Sequence, residues 1–183
     1  MATLVGASCC SRHDDTTPVP RRYAYPRMEI PDSSFVANDT LPFNLQSNKN
    51  AEVEVERRDK ASTWVNVIYP SLDASILYTF TKAKDAADLQ AIIDNRLERI
   101  GLNAGSSDVE EYTFGSPSGY EHHVYVARNG TTPVQFLSTD GVDGVISGAG
   151  WLKNGGGASA DSIFPLIDML RRDIVHSLKT LQR

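Results

Sequence analysis

Two β-branched and aromatic runs, Trp64–Tyr69 and Ala74–Thr81, are joined by a link of only a few residues, Pro70 to Asp73. A link that short cannot carry the crossover of a dozen or more residues that a parallel pair requires, so the runs are expected to form an antiparallel hairpin. The same constraint recurs downstream. Val109–Phe114 passes through Gly115-Ser116-Pro117-Ser118-Gly119 into His122–Arg128, which ends at Asn129-Gly130, a strong hairpin turn. Val134–Ser138 returns from it. Asp140-Gly141 or Asp143-Gly144 then turns the chain into Val145–Leu152, a strand interrupted by glycines. Upstream, Ala51–Glu56 alternates apolar and acidic residues with the period of a half-buried strand.

Two segments carry the helical period instead. Leu89, Ile92, Ile93, Leu97 and Ile100 share one face, with Asp85 placed to cap the start and Gly101 placed to end the helix. Near the C-terminus Ile163, Ile167, Leu170, Ile174, Leu178 and Leu181 recur at steps of three and four. Asp161 or Ser162 is the expected cap there, and Pro165 is tolerated if it lies in the first turn. Strands, helix, strands and helix joined by short links predict an α+β fold, an antiparallel β-sheet with two main helices packed on it. Residues 21–46 contain several prolines and read as extended chain, with Met28-Glu29-Ile30 and Phe43-Asn44-Leu45 as the short strand pieces. Residues 1–20 read as a signal remnant and flexible tether, and residues 21–183 as one domain.

The net charge of −5 and the scattering of Arg21-Arg22, Arg57-Arg58 and Arg171-Arg172 leave no basic patch, which argues against a nucleic-acid partner. No run of 18 apolar residues is present to span a bilayer as a helix. The two cysteines, Cys9 and Cys10, are adjacent and follow the small, apolar Leu4-Val5-Gly6-Ala7-Ser8. That arrangement resembles the end of a bacterial lipoprotein signal, with Cys9 as the lipidated residue and Cys10 as the alternative.

Patterns that would carry chemistry are weak. His122 and His123 are neighbours on a strand, so they point to opposite faces and cannot readily hold one metal ion. No Gly-x-Ser-x-Gly elbow occurs. Gly148-Ala149-Gly150 lacks the third glycine of a dinucleotide fingerprint, and Gly155-Gly156-Gly157 lacks the lysine of a phosphate loop. Thr139-Asp140-Gly141-Val142-Asp143-Gly144 has too few oxygen ligands for a calcium loop and reads as a turn. Glu52, Glu54 and Glu56 line one strand face, either solvated or facing a basic partner. Trp64 and Trp151 are expected in the core or half-buried. Asp173 and His176 are three apart on a helix, the spacing of a structural pair. Neither a catalytic nor a cofactor site is expected.

The ordered set of motifs resembles the gliding motility lipoprotein GldD family. Pro18-Val19-Pro20-Arg21-Arg22-Tyr23 with Arg27, Ile30 and Pro31 is similar to its opening segment. Trp64–Pro70, Ala74–Tyr78, Gln135-Phe136 with Thr139-Asp140, and Gly148-Ala149 resemble its central strands. Asp161-Ser162, Pro165, Asp173-Ile174, His176 and Thr180 resemble its last helix. The resemblance covers residues 18–183 and implies a lipoprotein of the bacterial cell envelope in Bacteroidetes, with the outer membrane as the expected location. It implies a role in gliding motility and type IX secretion, with the membrane reached through a lipid anchor and with protein partners from that machinery. It implies no enzymatic activity and no cofactor. The alternative is a small-ligand or lipid-binding module, using a pocket between sheet and helices.

Overall fold

The computed structural model describes residues 29–38, 44–57, 62–105, 108–127, 131–153 and 160–182. Its centre is a seven-stranded antiparallel sheet. Strand β3 (Glu52–Arg57), β4 (Ser62–Tyr69) and β5 (Ala74–Lys82) form one meander, and β6 (Val109–Gly115), β7 (Glu121–Ala127), β8 (Val134–Thr139) and β9 (Gly144–Leu152) form another. The meanders join where β5 pairs with β9, from Ala74 opposite Leu152 to Lys82 opposite Gly144. The sheet order is therefore β3-β4-β5-β9-β8-β7-β6. Helix α1 (Ala86–Ala104) carries the chain from the central β5 to the far edge strand β6. These elements bear out the expected α+β class.

Register divides the sheet residues between two faces. Val65, Tyr78, Gly148, Phe136 and Val124 stand opposite one another across β4, β5, β9, β8 and β7, so they share one face. Helix α2 (Ala160–Lys179) packs on that face through Leu166, Ile167, Leu170, Ile174 and Leu178, all buried in one cluster with Ile76, Tyr78, Phe136 and Ile146. Each such fully buried aliphatic side chain contributes about 1.5–3 kcal/mol relative to exposure. The glycines that interrupt β9 make this approach possible. A Cβ at Gly150 would lie 3.2 Å from Leu170, and one at Gly148 would collide with the Leu77 carbonyl and the Phe136 ring.

The opposite face is covered in part by α1. Leu89 and Ile100 are buried against Leu137, Val145 and Ala83, with Ile92 and Ile93 packed beside them. A small hairpin, β1 (Phe35–Asn38) with β2 (Leu45–Asn48), lies on the outer side of α2. Helix α2 is thus enclosed between sheet and hairpin. This is why Met169, Asp173 and Ser177, off the apolar stripe read from sequence, are also buried.

Several local expectations are corrected. Helix α1 does not stop at Gly101. It runs to Ala104, and Gly105, with φ of 59°, donates its N–H to the Gly101 carbonyl as the cap. The Asp85 cap is as expected: its side chain accepts from the Asp88 N–H at 2.8 Å. Leu97 is 41% exposed, because the helix stripe is wider than the part of the sheet it covers. Pro165 lies beyond the first turn of α2, which begins at Ala160. The missing N–H falls on the solvent side, where Phe164 and Pro165 are both exposed, so the helix continues. Glu29 and Ile30 are not in a strand; among the described residues the first strand is β1, and β2 starts at Leu45. Asn44 makes only an isolated bridge, to Gln182. The Asn129-Gly130 turn, the 155–157 glycines and Met28 lie outside the described residues.

Candidate functional site

Two regions collect the polar and aromatic residues singled out above. The first lies under the β1–β2 hairpin. Asp173 is 1% exposed, and its carboxylate accepts from the Tyr69 hydroxyl at 2.7 Å, the Asn48 amide at 3.1 Å and Arg172 Nε at 3.3 Å. The Tyr69 phenol is held well above its usual range, first by burial and then by the Asp173 charge. Asn48 also donates to the Asp32 carbonyl and accepts from the Asn50 N–H. One turn along α2, His176 stacks on Phe35 with ring centroids 3.6 Å apart and shares a hydrogen bond of 2.9 Å with Gln46 Oε1. Ser177 Oγ donates to the Gln46 carbonyl. Burial lowers the His176 pKa, with Asp173 opposing that shift. Asp173 and His176 therefore do not act on each other as an exposed pair. They fasten the hairpin to α2 and to β4. A buried carboxylate that accepts from three donors, on two other elements and its own helix, is built as a fastening.

The adjacent histidines separate as expected. His122 is fully buried on the α2 face, with Nδ1 2.7 Å from Ser138 Oγ, and burial with the neighbouring His123 pushes its pKa down to about 4. His123 lies on the other face between Glu111 and Glu121, at 3.0 and 3.5 Å. Nearby, burial and Glu111 push the Tyr125 phenol up to about 12. Asp140 Oδ1 accepts from the backbone N–H of Val142, Asp143 and Gly144, so that segment is a turn closed by its own aspartate. Among the described residues no group of three or more His, Cys, Asp or Glu is placed to hold a metal ion.

The second region is the part of the sheet that α1 leaves open. Beyond α1, strands β4, β5 and β9 present Ile68, Leu77 and Trp151, and Leu77 is 38% exposed. A shallow cleft of about 410 Å³ lies over these residues and ends at Lys153 and Asp73, which form an ion pair at 3.6 Å. Leu77 also borders a second groove of about 370 Å³, running under α1 to Arg96 and Arg99. On the other flank the acidic row of β3 lies on this same face: Glu52, Glu54 and Glu56 stand opposite Ile68, Asn66 and Trp64. Both tryptophans are half-buried here. The open face thus runs from a carboxylate row, over an aliphatic and aromatic strip, to a pair of guanidinium groups. Contiguous apolar surface with a polar rim is the composition of a contact surface.

A family model described as gliding motility lipoprotein GldD matches residues 15–183. The chain belongs to the GldD family. The match takes in every described element of the fold, including both regions above. GldD is a lipoprotein family of the gliding motility machinery, not a known enzyme family, and lipoprotein membership implies a membrane anchor. A comparison with curated proteins gives no match. Among the described residues no helix is long and apolar enough to cross a membrane. Cys9 and Cys10 lie outside the described residues. The GldD resemblance did not disclose the Arg96–Arg99 groove or the Asp173 cluster. The first had a signal in the sequence, two arginines three apart on one helix face; the second joins residues 125 positions apart and had none.

Proposed function

We propose that this chain is a lipid-anchored component of the bacterial cell envelope that serves gliding motility and type IX protein secretion by holding partner proteins. Cys9 carries the lipid, with Cys10 as the alternative, residues 1–20 form the tether, and residues 21–183 form the body that meets the partners. The outer membrane is the proposed location. The observation that carries this reading is the GldD family match over residues 15–183. The open sheet face supports it further, since Ile68, Leu77 and Trp151 form an apolar strip between acidic and basic margins, suited to a partner whose charges are reversed. The action proposed is contact rather than catalysis. The buried, hydrogen-bonded Asp173 cluster serves that action by keeping the body rigid.

The anchor is tested by intact mass spectrometry of the protein extracted with detergent from membranes of its native host. The expected mass is that of a chain beginning at Cys9 and bearing acyl chains. An unlipidated chain in the soluble fraction would overturn the anchor and the envelope placement with it.

A further inference from the structure

The groove between α1 and the open sheet face holds an arrangement that partner contact does not require. Arg96 and Arg99 lie three residues apart on α1 and both line it. Arg96 is half-buried, and its Nε is shut off from solvent with no hydrogen-bond partner. A buried guanidinium donor without an acceptor is costly, and such groups are ordinarily satisfied. Among the described residues neither arginine is paired with a carboxylate. Burial and the neighbouring Arg99 both lower the Arg96 pKa, so its charge stands uncompensated. The remaining lining is mixed: Leu77, Ile100 and Ala149 are apolar, while Thr79 and Ser147 offer hydroxyls. Gln135 is held in place by Asn103 at 3.0 Å and by the Ile100 carbonyl, so the floor is fixed. An anion in the groove beside the two guanidinium groups would offset two like charges together. Its apolar portion would cover Leu77, Ile100 and Ala149. A space of about 370 Å³ fits a small amphiphile.

We infer that this groove binds an oxyanion, a phosphate monoester or a carboxylate, carried on a short apolar chain, with Arg96 and Arg99 on the anion and Leu77, Ile100 and Ala149 on the chain. The site adjoins the face proposed for protein contact at Leu77 and requires neither that contact nor the lipid anchor.

The test uses the full chain with Cys9 and Cys10 replaced by serine, titrated calorimetrically with octyl phosphate, octanoate, octanol and inorganic phosphate. Octyl phosphate and octanoate are expected to bind with one-to-one stoichiometry, and octanol and inorganic phosphate at least about tenfold more weakly. The double change R96Q/R99Q should weaken octyl phosphate by at least about tenfold, and R96K/R99K by less, since lysine keeps the charge without the fork. A149W, which fills the groove and leaves both arginines, should block the amphiphiles; circular dichroism confirms that each variant is folded. Failure of both amphiphiles to bind, equal binding by R96Q/R99Q or A149W, or binding of inorganic phosphate as tight as octyl phosphate would each overturn the inference.

Discussion

Replacement of Asp173 by alanine tests the claim that this carboxylate fastens the hairpin, α2 and β4 into one body. In the native protein the Tyr69 hydroxyl and the Asn48 amide both donate to Asp173, and both residues are about as buried as Asp173 itself. D173A leaves these two donors in a closed interior. Each unsatisfied buried donor costs about 1–3 kcal/mol, which gives roughly 2–6 kcal/mol gross. The Arg172 side chain is 38% exposed and its 3.3 Å contact is long, so its loss adds little. Removing the carboxylate also removes its own desolvation cost, which brings the expected net loss to about 2–4 kcal/mol. D173N keeps one carbonyl oxygen for Tyr69 and should lose about half as much. Urea unfolding at neutral pH on the Cys9→Ser, Cys10→Ser chain reads these values. Amide hydrogen exchange should show the loss of protection greatest in β1 and β2, because that hairpin is held to the body through Asn48 and Gln46. A D173A protein within about 0.5 kcal/mol of the parent, with β2 protection unchanged, would refute the fastening argument.

Two further predictions concern the core. His122 has its folded pKa pushed down to about 4, below an unfolded value near 6.5, so the unfolded chain binds the extra proton first as pH falls. Stability from this group is therefore full above about pH 6.5 and falls towards pH 4, by at most about 3 kcal/mol, with His176 acting in the same direction; urea midpoints at pH 7 and pH 5 should differ, and H122Q should reduce the difference. Glycine substitutions should split by position: G148A, which meets the Leu77 backbone and the Phe136 ring, should cost about 1–3 kcal/mol, whereas G101A, in open space inside α1, should stabilise by about 0.5–1 kcal/mol. Thermal melting that ranks these two variants the other way would contradict the packing described for β9.

What could be read from the sequence, and what could not, follows the range of the interactions. The hairpins around Pro70–Asp73 and Asp140–Gly144 and the alternation of Glu52–Glu56 are local patterns, and each appears in the fold at the expected place. The α2 stripe likewise sets its sheet-facing side. The pairing of β5 with β9 is long-range, and nothing local specifies which strands of two meanders meet. Strand β1 has no alternation to announce it; it forms because Phe35 stacks on His176 and β2 offers it a partner edge. Gly101 carried a stop signal that α1 overrides, because Gly105 supplies the same backbone freedom one turn later. For the site, the acidic row and both tryptophans were visible as residues. Their assembly with Leu77 into one open face follows from the sheet order and from α1 packing mainly on β8 and β9.

The central claim, that a GldD-family body acts through its open sheet face, is tested most directly by rescue of gliding. Cells of the native host lacking this gene would be supplied with the parent chain or with L77D/W151D, whose changes place charge on the apolar strip. With membrane-bound protein at parental abundance, L77D/W151D should restore little or no gliding, while a single charge placed on the outer hairpin, V36D, should restore it fully. Full gliding in cells that carry L77D/W151D would contradict the account.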